Sequence, residues 1–84
     1  MAAGQGDEEA RKELVAGNLR LVVSIAREYQ MRNEKHPSLG TLLEAGGEGL
    51  MRAVEKFDTS KDVRFSTWAT WWIRQGIARR IADE

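Results

Sequence analysis

Apolar residues recur along the chain at helical spacing, and their phase marks out three amphipathic stretches. At about 100° per residue, Leu14, Val15, Leu19, Leu21, Val22, Val23, Ile25, Ala26 and Tyr29 cover roughly half a cylinder. This predicts a first helix over 7–30 whose wide face meets more than one neighbour. Asp7 is its predicted N-cap, with Glu8 and Glu9 against the positive end of the dipole. Residues 31–37 read as a polar connection, where Pro37 turns the chain away from helical geometry. His36, the one histidine, reads as a surface loop residue with no second imidazole or thiol to help it hold a metal.

Ser38 is placed to cap a second helix. Gly46, Gly47 and Gly49 suggest a break, but Leu39, Leu42, Leu43, Gly46, Leu50, Ala53, Val54 and Phe57 stay within one arc about 120° wide. A break would lose that phase, so one helix over 39–57 is predicted. Gly46 lies on its apolar face, where a missing side chain admits a neighbouring backbone. Residues 58–62 (Asp-Thr-Ser-Lys-Asp) carry turn chemistry. A third helix follows over 66–83, capped by Ser66 or Thr67.

The expected fold is therefore all-α, a compact three-helix domain with helices at about 7–30, 39–57 and 66–83. Residues 1–6, small and Gly-rich, read as a disordered tail. Residues 7–84 form a single domain. Asp83 and Glu84 put negative charge at the negative end of the last dipole with no glycine stop, as expected of a domain cut from a longer chain.

Composition narrows the function. At 84 residues the chain is too short for two cores, and it has no cysteine to build a disulfide framework. No apolar run approaches a membrane span and no signal peptide pattern opens the chain. No nucleophile–base pair, metal cluster or phosphate loop is visible, which argues against an enzyme and against a cofactor. Formal net charge is zero, but the charges are unevenly placed. Arg64, Arg74, Arg79 and Arg80 lie in a run from 64 to 80 without a single acid.

All three tryptophans lie in that same run. On a helical projection Phe65, Ala69, Ile73, Gly76, Ile77 and Ile81 form one apolar stripe. Trp68, Trp71, Gln75, Ala78 and Arg79 form a second, with Trp72 on the border. A small domain rarely buries both faces of one helix, so the second stripe should be partly exposed. Exposed indoles beside Gln and Arg can stack on bases, pair with base edges and meet phosphates. The plainer alternative is that tryptophans fill the core and arginines solvate it.

Two further features stay open on pattern alone. Asn18 projects into an apolar arc, either as a hydrogen-bonded structural amide or as the lining of a pocket. The outer face of the second helix holds Thr41, Glu44, Glu48, Met51, Arg52 and Glu55. It reads either as a solvated face with a Glu48–Arg52 pair at i,i+4 or as acids around an exposed methionine, suited to a partner helix.

Three blocks carry a resemblance. They are residues 18–29 (Asn-Leu-Arg-Leu-Val-Val-Ser-Ile-Ala-Arg-Glu-Tyr), 49–58 (Gly-Leu-Met-Arg-Ala-Val-Glu-Lys-Phe-Asp) and 65–75 (Phe-Ser-Thr-Trp-Ala-Thr-Trp-Trp-Ile-Arg-Gln). Together they resemble region 2 of bacterial RNA polymerase sigma factors of the sigma-70 family, of the housekeeping type, over about residues 10–84. The resemblance implies a sigma-2-like helical bundle that docks on the clamp helices of the largest catalytic polymerase subunit. It also implies recognition and melting of the promoter −10 element by capture of flipped non-template bases. Trp68 stands where a tyrosine stacks in place of a flipped adenine. Trp71 and Trp72 match a pair at the upstream edge of the bubble, and Gln75 matches the glutamine of the first −10 base pair. Arg64, Thr67, Asp58 and Lys61 fall near the adenine pocket. Asn18, Arg20, Leu21 and Ser66 match a pocket for the last flipped base, which favours the pocket role for Asn18. Arg74 and Arg79 complete the expected DNA-binding set.

For polymerase binding the resemblance implies Thr41, Glu44, Ala45, Gly47, Glu48 and Met51. Thr41, Ala45 and Gly47 each stand where the family carries a polar or charged group. Val63 replaces a usual aromatic and Ala78 a usual threonine. The implied partners are polymerase core and single-stranded promoter DNA, and an anti-sigma factor is a further partner the family admits. The implied setting is the bacterial cytoplasm, at the nucleoid. Two rivals remain: a helix-turn-helix regulator reading duplex DNA, and a protein-interaction module anchored by its tryptophans. The aromatic content of the basic stretch disfavours the first.

Overall fold

In the computed structural model the described chain folds into four helices rather than three: α1 Ala3–Gly17, α2 Leu19–Arg32, α3 Leu39–Lys56 and α4 Phe65–Asp83. The described residues are 3–32, 37–58, 60 and 62–83, with side chains from Glu8 onward. His36 and Lys61 lie outside them, as do the first two residues of the expected tail. Helix α1 starts at Ala3, so Asp7 sits inside a helix and not at its N-cap.

The first predicted helix is divided at Asn18, and the hydrogen bonds give the reason. The Asn18 backbone N–H donates to Val15 O at 3.1 Å, and its side-chain Nδ2 donates to Leu14 O at 2.8 Å. Those two bonds satisfy carbonyls at the end of α1, which otherwise lack intrahelical donors. The Asn18 carbonyl in turn accepts from Leu21 N at 3.1 Å and Val22 N at 3.4 Å, opening α2. One residue closes a helix and starts the next. No described residue has a positive φ, so the joint bends the chain without the left-handed residue that usually marks a helix stop. The half-cylinder of apolar positions is thus two narrower faces on two helices.

The other two elements follow their sequence more closely. Ser38 caps α3 as expected, its hydroxyl accepting from Thr41 N at 3.2 Å. Helix α3 continues through all its glycines, because the apolar arc holds its phase. Helix α4 begins one residue earlier than predicted, and Trp68 N donates to Arg64 O at 3.1 Å. Ser66 and Thr67 therefore lie in the first turn and do not cap it. The turn before α4 is closed by Asp58 Oδ1, which accepts from Ser60 N at 2.9 Å and Ser60 Oγ at 2.7 Å.

Helices α3 and α4 form the principal pair, α2 packs across both, and α1 rests mainly on α3 with a smaller contact to α2. The core consists of Val22, Ile25 and Ala26 from α2, Leu42, Ala45, Leu50 and Ala53 from α3, and Ala69, Ile73 and Ile77 from α4. Leu42, Leu50, Ile73 and Ile77 are its largest fully enclosed side chains. Among the described residues no helix is long and apolar enough to cross a membrane.

The close backbone approach expected at Gly46 occurs one turn later. A Cβ on Gly46 would meet side chains, Val22 Cγ1 at 2.9 Å and Ile73 Cγ2 at 3.4 Å. At Gly49 it would strike backbone: Ile73 Cα at 2.9 Å, and the Trp72 carbonyl oxygen nearer still. Gly76 mirrors this from α4, its would-be Cβ 2.6 Å from Ala45 O. Helices α3 and α4 thus cross main chain to main chain, and neither position can accept a methyl group without separating them.

Gly47, by contrast, has open space around its Cβ position. Gly49→Ala and Gly76→Ala are expected to destabilise the domain by about 1–3 kcal/mol or more through overpacking. Gly47→Ala should stabilise it by about 0.4–1 kcal/mol by restricting the unfolded chain. Thermal unfolding followed by circular dichroism checks the contrast. Equal melting temperatures for Gly49→Ala and the parent would refute the main-chain crossing.

Candidate nucleic-acid interface

Helix α4 carries one face into the core and leaves another to solvent, and its tryptophans divide between the two. Trp71 is 56% exposed. Trp68 and Trp72 are both half-buried and pack against the core cluster. The sequence grouped Trp68 with Trp71 on the outer stripe, whereas packing groups Trp68 with Trp72. Trp68 is fixed by a bond the sequence did not announce: its Nε1 donates to Ala53 O of α3 at 2.9 Å.

These rings belong to a longer array. Phe65 meets Phe57 edge-on at 5.1 Å between centroids, and Phe57 lies 6.3 Å from Trp68. Trp68 stands 5.8 Å from Trp72, and Trp72 meets Trp71 edge-on at 5.1 Å. Tilted and edge-to-face contacts of this kind suit the aromatic quadrupole. The array runs from the α3–α4 turn to the exposed Trp71, so that ring is braced from behind by four others. The Trp72 Nε1 is buried and has no hydrogen-bond partner among the described residues.

Beside Trp71 lies a cavity of about 220 Å³ lined by Arg52, Trp71, Trp72, Gln75, Gly76 and Arg79. It gathers four of the predicted DNA-binding residues: Trp71, Trp72, Gln75 and Arg79. It also adds Arg52, which the sequence placed on the opposite face of α3 in a pair with Glu48. Phase alone gave no signal for Arg52, because its position depends on the α3–α4 crossing.

The arginines are less free than their spacing suggested. Arg74 Nη2 donates to Glu28 Oε2 of α2 at 3.0 Å. Arg80 Nη2 stands 3.6 Å from both Glu44 and Glu48 of α3. Two of the four cations in the acid-free run are thus countered by acids from other helices. Arg64 and Arg79 remain exposed.

At the start of α4, Arg64, Ser66 and Thr67 are exposed, close in sequence to the Asp58 turn. Asn18 and Arg20 lie at the α1–α2 joint, and Leu21 is half-buried against the core. The Asn18 amide N–H is engaged by Leu14 O, which is the structural role the pattern had left open. Asn18, Arg20, Leu21 and Ser66 line neither the cavity beside Trp71 nor a wider groove between α1 and α3.

That groove, about 450 Å³, has Val15, Leu19, Met51 and Val54 among its lining residues. Met51 is 56% exposed. On the outer face of α3, Glu44 and Glu48 are exposed and Gly47 half-exposed, while Thr41 is half-buried beside the Ser38 cap. Ala45 is different: at 1% exposure it belongs to the core and cannot present a docking surface. Glu48 takes Arg80 as its ion partner in place of the predicted Arg52.

Comparison with known proteins places this arrangement. Residues 14–84 match the family model described as sigma-70 region 2. The chain is 51% identical over 84 residues to RNA polymerase sigma factor SigA of Lactococcus lactis subsp. cremoris, covering all of this chain and 22% of that protein. It is 54% identical over 79 residues to RNA polymerase sigma factor SigA of a Bacillus species, covering 94% of this chain and 20% of that protein. The chain therefore spans about a fifth of the length of these relatives. A family model that covers residues 14–84 and identities above half to two sigma factors show that the chain belongs to the sigma-70 region 2 family.

Proposed function

We propose that this domain is the part of a transcription initiation factor that docks on RNA polymerase and holds the promoter −10 element open. It does so without catalysis, by binding bases of the non-template strand once they leave the duplex. The observation that carries the reading is Trp71, exposed at the end of a braced aromatic array and beside a cavity flanked by Gln75, Arg79 and Arg52. An indole fixed at its back and open at its front offers a stacking surface at little cost in side-chain order. The neighbouring guanidinium groups suit phosphates, and the Gln75 amide suits a base edge.

The energetics are consistent with capture. Extruding a base costs a few kcal/mol, and stacking on an aromatic side chain returns about 1–3 kcal/mol per base. Binding an open state that the duplex already visits shifts its population without an external energy source. Trp68, immobilised through Ala53, serves in this reading as a fixed platform near the α3–α4 turn. The outer face of α3, with Glu44, Glu48 and Met51, is the side offered to the clamp helices of the polymerase.

Four experiments test these assignments. Titration with single strands carrying a TATAAT-like hexamer, a scrambled hexamer and the matching duplex, followed by tryptophan fluorescence, should rank the −10 strand first. Equal affinity for both single strands refutes base recognition, and preference for duplex favours a groove-reading regulator. Trp71→Ala should weaken the preferred strand by about 1–3 kcal/mol while leaving the melting temperature nearly unchanged, since the ring is exposed. Trp68→Phe should instead lower stability by about 1 kcal/mol, because it removes the indole's hydrogen bond to Ala53 O. Glu44→Lys should weaken association with the clamp helices in a pull-down, and unchanged recovery would count against the α3 face.

A further inference from the structure

Glu44 and Glu48 stand one turn apart on the outside of α3, where like charges repel. The neighbouring helix relieves that repulsion. Arg80 of α4 brings Nη2 to 3.6 Å from Glu44 Oε1 and 3.6 Å from Glu48 Oε1, so one guanidinium nitrogen serves both acids. The main-chain crossing makes this possible. Gly76, one turn before Arg80, lies against the carbonyl of Ala45, which places the next turn of α4 beside residues 44 and 48. The Arg80 side chain is only 30% exposed, against 68% for Glu44 and 57% for Glu48. The cation is therefore held at the inner side of the acids, while the carboxylates remain open outward.

We propose that Arg80 is an internal competitor for the docking face, holding Glu44 and Glu48 in a self-neutralised state that a basic helical partner surface must share or displace. The inference rests on the docking role assigned above to the outer face of α3, and its partner is the polymerase core. An incoming cation gains less from acids already served by Arg80 than from two unopposed carboxylates, because the local field is partly cancelled before it arrives. Arg80 is not among the residues lining the cavity beside Trp71, and both of its ion partners belong to the docking face. It tunes affinity and salt response and leaves the helical scaffold to the apolar core.

The test compares binding of the 84-residue domain and its variants to bacterial core RNA polymerase at two salt concentrations, with far-UV circular dichroism as the check on folding. Arg80→Gln should bind about 3- to 10-fold tighter, the scale of one or two exposed ion pairs, and the gain should shrink at high salt. Arg80→Lys, which keeps the charge, should stay near the parent. Arg27→Gln, the same charge change at an exposed position of α2, should leave affinity unchanged. Binding by Arg80→Gln where the parent shows none also supports the competition. If Arg80→Gln binds no tighter while Glu44→Lys still weakens, competition is overturned and the docking face stands. An equal gain from Arg27→Gln overturns it as well, since bulk charge then explains the effect. Absence of binding by every variant, or indifference to Glu44→Lys, removes the docking face and the competitor together.

Discussion

The contact between the main chains of α3 and α4 at Gly49 and Gly76 is the constraint from which most of the other features follow. With no Cβ on either side, the helices approach until the carbonyls of Trp72 and Ala45 touch the facing helix. At that separation the Trp68 indole reaches Ala53 O, Arg52 borders the same cavity as Gln75 and Arg79, and Arg80 reaches two carboxylates. All of these pairings join α3 to α4. They are consequences of one short interaxial distance, and a methyl group at either glycine would disturb them together.

Charge is organised by the same packing. The chain has equal numbers of acids and bases, and the inter-helix pairs Arg74–Glu28 and Arg80–Glu44/Glu48 distribute that balance across the surface. Exposed pairs of this kind contribute little to stability. Among the described residues Arg64 and Arg79 of the acid-free run stay exposed, and Arg79 borders the cavity beside Trp71 together with Arg52.

How much of this could be read from the chain depends on whether a feature is local. Helix α3 was legible through its glycines because phase is a local property that survives a weak helix former. The core stripe of α4, with Ala69, Ile73 and Ile77, was legible for the same reason. The break at Asn18 was not, since two helices joined by a single residue without a positive φ keep nearly the same periodicity. Helical phase also failed to separate Gly46 from Gly49, because it reports which way a residue points and not what stands there. Ala45, which is buried, joined the expected docking set through the resemblance and not through phase. Arg74 and Glu28 are 46 residues apart, and no spacing rule connects them.

The joint at Asn18 has a consequence for motion. A helix end with its own side-chain and backbone bonds is a natural border between cooperative units, since fraying on one side need not propagate to the other. Helix α1 rests mainly on α3 and makes less contact with α2. Local opening of α1 would leave the α2–α3–α4 core intact while changing how much of Leu19, Met51 and Val54 meets water. The apolar flank of α3 is thus covered by the helix that could open by itself, whereas the tryptophan array is built on the α3–α4 pair at the centre of the fold.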